Sequence, residues 1–438
     1  MNNISGTLKH YTRESSSTPA FIISVLLYKT VLDISYVVYI SEYLSISGDF
    51  YALDVNWLKI VESFLLLAIV CGLIERRKNP SSWILLGGLV TLLVPSLSLY
   101  GLMSEDRTFT IVYCTAFILV ITISRYTKTL RIPKIRYGNK LTIMLSWVTV
   151  LGSFLILFVN VGVLAVGESM FNPRFYFFRD IVKERFFSDS WIAAYPVSFS
   201  LFVCQGFLIV DVIHNNRRWL YSVVVLVPLM LAWMTTQKKA LLLGLLFVFL
   251  YYLAKRHESF TKLLNYWTLF VAGLLSAAMI LPKKLPYTIP FSQIFDRLLY
   301  TPARLNYAYN HFFSENEYVL LSSTHIPVPF DYPYREIPTK LVSSRVFYTD
   351  SVASAGWIAS SFMHFGHLGV VIYAILIGLL LVLVNSAVNQ RIDAAVGVAV
   401  STPPIFNMFL QKSFTSSMFS GGVGLLIILL IVYRTDKS

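Results

Sequence analysis

Arginines recur in two segments of the chain that are otherwise rich in aromatic residues. The segment "NPRFYFFRDIVKERFF" carries Arg174, Arg179 and Arg185, and the segment "FSQIFDRLLYTPARLNYAYNHFF" carries Arg297 and Arg304. An arginine side chain presents a planar fork of N–H donors that can bind two phosphate oxygens at once. Two interpretations of the first segment stay open: a phosphate-binding surface, or a solvated helix face whose cations pair with nearby acids.

The second segment forms a polar stripe if it is helical, because residues three or four positions apart then share a face. The stripe and the two tyrosines that flank it are Arg297, Thr301, Arg304, His311, Tyr300 and Tyr307. Pro302 is expected to kink this helix or to begin a new one. Tyrosine rings can stack on sugar faces while their hydroxyls bind the rim, so Tyr300 and Tyr307 are candidate sugar contacts; the alternative is the ordinary enrichment of tyrosine at a membrane interface.

The stretch "DSVASAGWIASSFMHFGHLGV", at residues 350–370, places small and polar residues directly before a long apolar run. Small residues permit close approach of a backbone or a ligand, and the GxxG pair Gly366 and Gly369 permits tight packing against a neighbouring helix. We interpret the stretch either as the floor of a binding site or as a helix-packing motif without ligand contact.

Apolar helices must position these segments. Hydrophobic residues make up 56% of the 438 residues and charged residues only 13%, about half of the fraction that is usual in soluble proteins. About 20 apolar residues suffice to cross a bilayer, and strand-like alternation is absent. The sequence therefore predicts an all-α polytopic membrane protein, a single integral membrane domain over 1–438. The predicted spans, about 12 in number, are residues 20–40, 57–74, 83–102, 108–124, 141–164, 191–213, 219–234, 239–254, 266–282, 356–387, 394–411 and 418–433.

The cations of the short connections define an orientation. Twelve spans put both termini on one side, where the connections and tails carry 19 lysines and arginines, against four in the short loops opposite. The rule that positive loops stay inside makes the first side cytoplasmic. The net charge of +13 then faces anionic lipid, so we predict no nucleic-acid partner. Two large basic loops, residues 165–190 and 283–355, face outward.

Two charge pairs fall inside predicted spans. Lys29 and Asp33 are four residues apart, and Lys59 and Glu62 are three apart. Ionisable groups within the membrane are candidates for ion coupling. The preferred interpretation is that each pair neutralises itself on one helix face.

The order and spacing of several segments resemble those of the O-antigen polymerases of the Wzy type. The resemblance is carried from about residue 140 onward by "RFYFFRDIVKERFF", "TTQKKALLL", "FDRLLYTPARLNYAYNHFF", "DSVASAGWIASSFMHFGHLGV" and "FLQKSFTSSMFSGGVGLLIILL". It implies a GT-C-like membrane glycosyltransferase architecture with short periplasmic helices, in the bacterial inner membrane. It also implies an activity: transfer of a growing glycan from undecaprenyl diphosphate onto the non-reducing end of another lipid-linked repeat, at the periplasmic face.

The resemblance assigns diphosphate contact to six cations: Arg174, Arg179, Arg185, Lys239, Arg297 and Arg304. Fixed cations can stabilise a departing diphosphate without a metal, so no metal or cofactor is expected. Asp350 and Glu336 are the candidate bases for the acceptor hydroxyl, and Arg345 could position either acid.

Two other functions stay open. An O-antigen ligase is similar, but its histidine upstream of GxxG is replaced here by the run Ser354, Ala355 and Gly356. A polysaccharide flippase or transporter would concentrate polar residues at the bilayer midplane, whereas this chain concentrates them in two outward loops. A chain-length regulator protein would be a further partner of a polymerase.

Overall fold

The computed structural model describes residues 18–41, 53–76, 79–127, 129–133, 135–161, 194–235, 237, 239–256, 260–280, 292–324, 326–348 and 352–435. Every regular element in these ranges is helical. The first nine helices are α1 Thr18–Ile40, α2 Trp57–Leu73, α3 Pro80–Leu102, α4 Arg107–Tyr126, α5 Gly138–Val161, α6 Ala194–His214, α7 Tyr221–Met234, α8 Lys239–Arg256 and α9 Phe260–Ile280. The remainder are α10 Ser292–Tyr300, α11 Thr301–Glu315, α12 Pro338–Val346, α13 Trp357–Arg391, α14 Ala394–Leu410, α15 Phe414–Phe419 and α16 Val423–Val432.

Each of the twelve predicted spans contains a helix. Six of these helices are long and apolar enough to cross a membrane, namely α1, α3, α4, α5, α6 and α13. The chain is therefore an all-α, multi-pass membrane protein by the length and composition of those helices.

Polar residues begin several helices where the apolar runs start. The Asn79 side chain accepts a hydrogen bond from the Ser82 N–H at 3.0 Å, and Pro80 follows as the first residue of α3. Asp106 likewise caps α4 by accepting from the Phe109 N–H at 2.5 Å. These caps satisfy backbone donors that have no partner inside the helix.

The segment at residues 292–315 packs onto the other helices through α11. This helix begins at Thr301 with Pro302 in its first turn, as the sequence predicts. It packs against α13, which also runs along α4. Phe109 of α4 joins the three helices, with T-shaped ring contacts to Tyr307 at 5.5 Å and to Phe362 at 5.4 Å. α11 is thus part of the protein core.

A break divides α13 near its start. Phe365 has φ −143° and ψ 20°, and Gly366 has φ +60° and ψ −145°, a conformation open to glycine but strained for other residues. A Cβ on Gly366 would lie 2.7 Å from Tyr318 Oη, and one on Gly369 would lie 2.2 Å from the Ser361 carbonyl of the same helix. The helix-packing role predicted for the GxxG pair is therefore wrong. Gly366 adopts the conformation that breaks the helix, and Gly369 leaves room for the Ser361 carbonyl of the same helix.

The two predicted charge pairs have different outcomes. Lys29 Nζ lies 2.6 Å from Asp33 Oδ2, which confirms the first pair. The second prediction is wrong: Lys59 Nζ donates to the Glu105 carbonyl at 2.6 Å, and Glu62 pairs instead with Arg107 at 3.0 Å. Glu105 lies in the turn between α3 and α4 and Arg107 begins α4, so sequence spacing along α2 cannot reveal either partner.

Candidate functional site

A polar cavity of about 400 Å³ lies beside the first turns of α13. Its wall combines the residues that lead into α13, the turn at 319–324, the start of α12 and residues 411–420. Six serines and two threonines line it together with Gln411, Lys412 and His364. Among the described residues that line the cavity none is a carboxylate, so its polar groups can donate to an anion without repelling it.

Glycine at position 356 brings the two main walls together. A Cβ on Gly356 would lie 1.9 Å from the carbonyl oxygen of Phe409, so only glycine lets the start of α13 abut the end of α14. Ser354 and Ala355 on one wall therefore face Gln411 and Lys412 on the other. This close approach of backbones was one of the roles predicted for the small residues of the stretch.

Lys412 lies on the cavity wall, and Lys239 approaches the same Phe202 ring as Lys412 does. Lys412 Nζ is 5.7 Å from the centre of the Phe202 ring and 3.4 Å from Ser198 Oγ. Lys239 Nζ is 5.5 Å from the centre of the same ring. Burial and the neighbouring Lys239 charge lower the pKa of Lys412 to about 8. An anion between the two ammonium groups would relieve both effects.

Lys412 was not selected as a site residue from the sequence, in which it is one of the four cations of the short loops opposite the predicted cytoplasmic side. The structure instead places it on the cavity wall and near Lys239, which the sequence did select. The signal available in the sequence was the cluster of serines that follows it, in "KSFTSSMFS".

Arg304 and His311 do come together, but on an acid that the sequence did not select. Arg304 pairs through Nη1 with Glu105, and His311 Nε2 lies 2.7 Å from Glu105 Oε2. The hydrogen bond to Glu105 raises the pKa of His311. Glu105 is almost fully buried, so this cluster neutralises the Arg304 charge and fastens α11 to the turn between α3 and α4.

The predicted sugar contacts Tyr300 and Tyr307 are both fully buried. The Tyr300 hydroxyl donates to the Leu32 carbonyl at 2.6 Å, and the Tyr307 hydroxyl donates to the Ser96 carbonyl at 3.1 Å. Their rings and hydroxyls thus join α10 and α11 to the membrane helices. Tyr309, two residues after Tyr307 on α11, is the tyrosine that lines the cavity.

The remaining selected residues lie apart from the cavity wall or outside the described ranges. Arg297, Arg345 and Glu336 are exposed, and Glu336 Oε2 accepts a 3.4 Å hydrogen bond from Ser344 Oγ. Arg174, Arg179, Arg185 and Asp350 lie outside the described residues.

Within the part of the chain that the structure describes, no group of three or more His, Cys, Asp or Glu residues is placed to hold a metal ion. No protein-family model, no curated protein and no solved structure matches this chain.

Proposed function

We propose that this chain is a bacterial inner-membrane glycosyltransferase that polymerises lipid-linked oligosaccharide repeats, as the O-antigen polymerases of the Wzy type do. The observation that carries the proposal is the carboxylate-free, hydroxyl-lined cavity with Lys412 on its wall. A lipid diphosphate presents an anion beside a sugar, and this lining offers a cation and many hydrogen-bonding groups. The segments that carry the family resemblance, 350–370 and 409–430, supply both main walls.

The proposed topology has twelve crossings with both termini in the cytoplasm. It places the cavity at the periplasmic ends of the helices, because Lys239 and Lys412 belong to the outward connections. A lipid-linked substrate could then approach from the outer leaflet while its saccharide stays in water.

In the proposed reaction, the bond between the anomeric carbon of the donor glycan and the diphosphate oxygen breaks, and the oxygen keeps the electron pair. A hydroxyl at the non-reducing end of the acceptor repeat forms the new bond to that carbon. Lys412 and Lys239 stabilise the charge that develops on the diphosphate. A carboxylate takes the hydroxyl proton, and Asp350 and Glu336 stay the predicted candidates.

Reconstituted protein supplied with purified lipid-linked repeats tests the proposal. We expect wild type to give a ladder of polymers and Lys412→Ala to slow its formation by about 10²-fold, the usual cost of losing one stabilising group at a developing charge. Lys140→Ala is the matched control, because Lys140 is exposed on the predicted cytoplasmic side. A wild type that moves the lipid across the bilayer without forming a ladder would favour the transporter instead.

The pH dependence gives a second test. Because the pKa of Lys412 is about 8, the free protein loses this charge as the pH rises through that value. We expect kcat/KM, which reports the free enzyme, to fall above pH 8 in wild type. Lys412→Arg keeps the charge at all these pH values and should remove the fall. An identical fall in both proteins would contradict the assignment of Lys412.

A further inference from the structure

His364 is a fully buried histidine on the cavity wall. Its Nδ1 accepts a hydrogen bond from the Leu321 N–H at 3.2 Å. A ring nitrogen that accepts carries no proton, so the neutral ring holds its proton on Nε2. Among the described residues, Nε2 has no hydrogen-bond partner. His364 therefore presents a fixed N–H donor, and a buried donor without a partner is unusual in a folded protein.

A strained turn fixes this ring. Leu320 and Leu321 have φ values of +47° and +67°, in the left-handed region that large side chains rarely adopt. The Val319 N–H donates to the Met363 carbonyl at 2.8 Å, just before the break at Phe365 and Gly366. Strain of this kind persists only where surrounding contacts impose it, and it concentrates at functional sites. The turn and the break together hold His364 in one tautomer.

The first turn of α13 adds further donors beside the same cavity. Gly356 precedes the helix and provides no side-chain cap. Within the described residues, no group accepts from the N–H groups of Trp357, Ile358 and Ala359. Ala355 and Ser360 flank this turn and line the cavity. An uncapped helix start carries partial positive charge and binds anions.

We propose that the His364 Nε2–H and the first turn of α13 form an oxyanion subsite that binds the diphosphate oxygens of the substrate. This inference rests on the proposed function for the identity of the anion and deepens it by assigning the neutral donors of the site. His364 acts as a hydrogen-bond donor and not as the base, because its Nδ1 lone pair is occupied by the Leu321 N–H.

Substitution of His364 by asparagine or by glutamine distinguishes the role of Nδ1 from that of Nε2. In His364→Asn the side-chain oxygen replaces Nδ1 and keeps the bond to Leu321, but no donor reaches the position of Nε2. In His364→Gln the longer side chain carries an N–H to about that position. His367→Asn is the matched control, because His367 lies three residues further along α13, packs on Phe362 and does not line the cavity.

The experiment measures the thermal stabilisation of the purified full-length variants by inorganic pyrophosphate and, separately, by farnesyl diphosphate. Stabilisation by a ligand reports its dissociation constant. We expect His364→Asn to weaken pyrophosphate binding about tenfold or more, the loss of one hydrogen bond to a charged group. His364→Gln and His367→Asn should stay within about threefold of wild type. Tighter binding of farnesyl diphosphate than of pyrophosphate would identify the lipid-linked form as the ligand.

Equal pyrophosphate binding by wild type and His364→Asn would overturn the subsite, as would the absence of binding by wild type. These outcomes are separate from the polymerisation assay. A polymer ladder with unchanged pyrophosphate binding in His364→Asn removes the subsite and leaves the polymerase. Binding that depends on His364 without any ladder keeps the subsite and removes the polymerase.

Discussion

Glu105, a residue that the sequence did not single out, joins α2 and α11 to the turn between α3 and α4. Its side chain holds Arg304 and His311, and its carbonyl accepts from Lys59. A buried carboxylate is stable only when it is paired and hydrogen-bonded, so Arg304 and His311 make the burial of the Glu105 side chain possible. Arg304 accordingly serves the attachment of α11.

The Glu105 bond to His311 predicts a pH-dependent stability. The bond raises the pKa of His311 above its ordinary value of about 6.5, so protonation stabilises the folded protein. This contribution is complete below about pH 6.5 and is lost as the pH rises through the raised pKa. We therefore expect the difference in melting temperature between wild type and His311→Gln to be largest in mild acid and to shrink with rising pH.

Melting curves recorded across this pH range check the expectation. His367→Gln serves as the control, because the His367 ring packs on Phe362 and forms no ion pair with an acid of the described ranges. A difference between wild type and His311→Gln that grows with rising pH would contradict the pairing.

At the scale of single elements, the break in α13 is the feature on which the cavity depends. It turns the helix at Phe365 and Gly366, frees the Met363 carbonyl for Val319 and sets His364 beside the turn at 319–324. An unbroken helix would carry the same residues past the turn without these bonds.

Gly366→Ala tests the break. An alanine at position 366 would have to keep a φ of +60°, which residues with a side chain disfavour. Its Cβ would also lie 2.7 Å from Tyr318 Oη. We expect a loss of about 1–3 kcal/mol of stability and weaker substrate binding. Gly152→Ala in α5 is the matched control, since nothing lies within 4 Å of its added Cβ. That variant should be neutral or about 1 kcal/mol more stable. Equal melting temperatures for the two variants would show that the break carries no strain.

Sequence patterns predicted the helices well and the site only in part. Apolar runs and caps such as Asn79 and Pro80 locate helices because both act within a few residues. The roles of Tyr300 and Tyr307 could not be obtained in this way, since a tyrosine suits either a sugar or a buried carbonyl. The choice depends on α1 and α3, which are more than 200 residues away in sequence.

At the scale of the whole molecule, the number of crossings can be decided by chemical labelling. Cys71, Cys114 and Cys204 are all buried, so wild type should not react with a membrane-impermeant maleimide. Tyr137 and Tyr348 are exposed, at 63% and 88%. Five helices of the proposed topology lie between them, α5 to α9, so Tyr137→Cys and Tyr348→Cys should react from opposite sides of the membrane.

The opposite result is equally informative. If only the six helices that are long and apolar enough to cross a membrane do so, α5 and α6 are the crossings between the two positions, and both cysteines would react from the same side. Cells that are intact or permeabilised distinguish the two faces, and Tyr348→Cys should react in both.

The burial of Tyr300 and Tyr307 has a consequence for how the protein is assembled. Their hydroxyls donate to carbonyl groups of α1 and α3, so the packing of the bundle is complete only when residues 292–315 have docked onto those helices. Chimeras that replace residues 283–355 would therefore retain a stable bundle only where the incoming segment brings equivalent tyrosines.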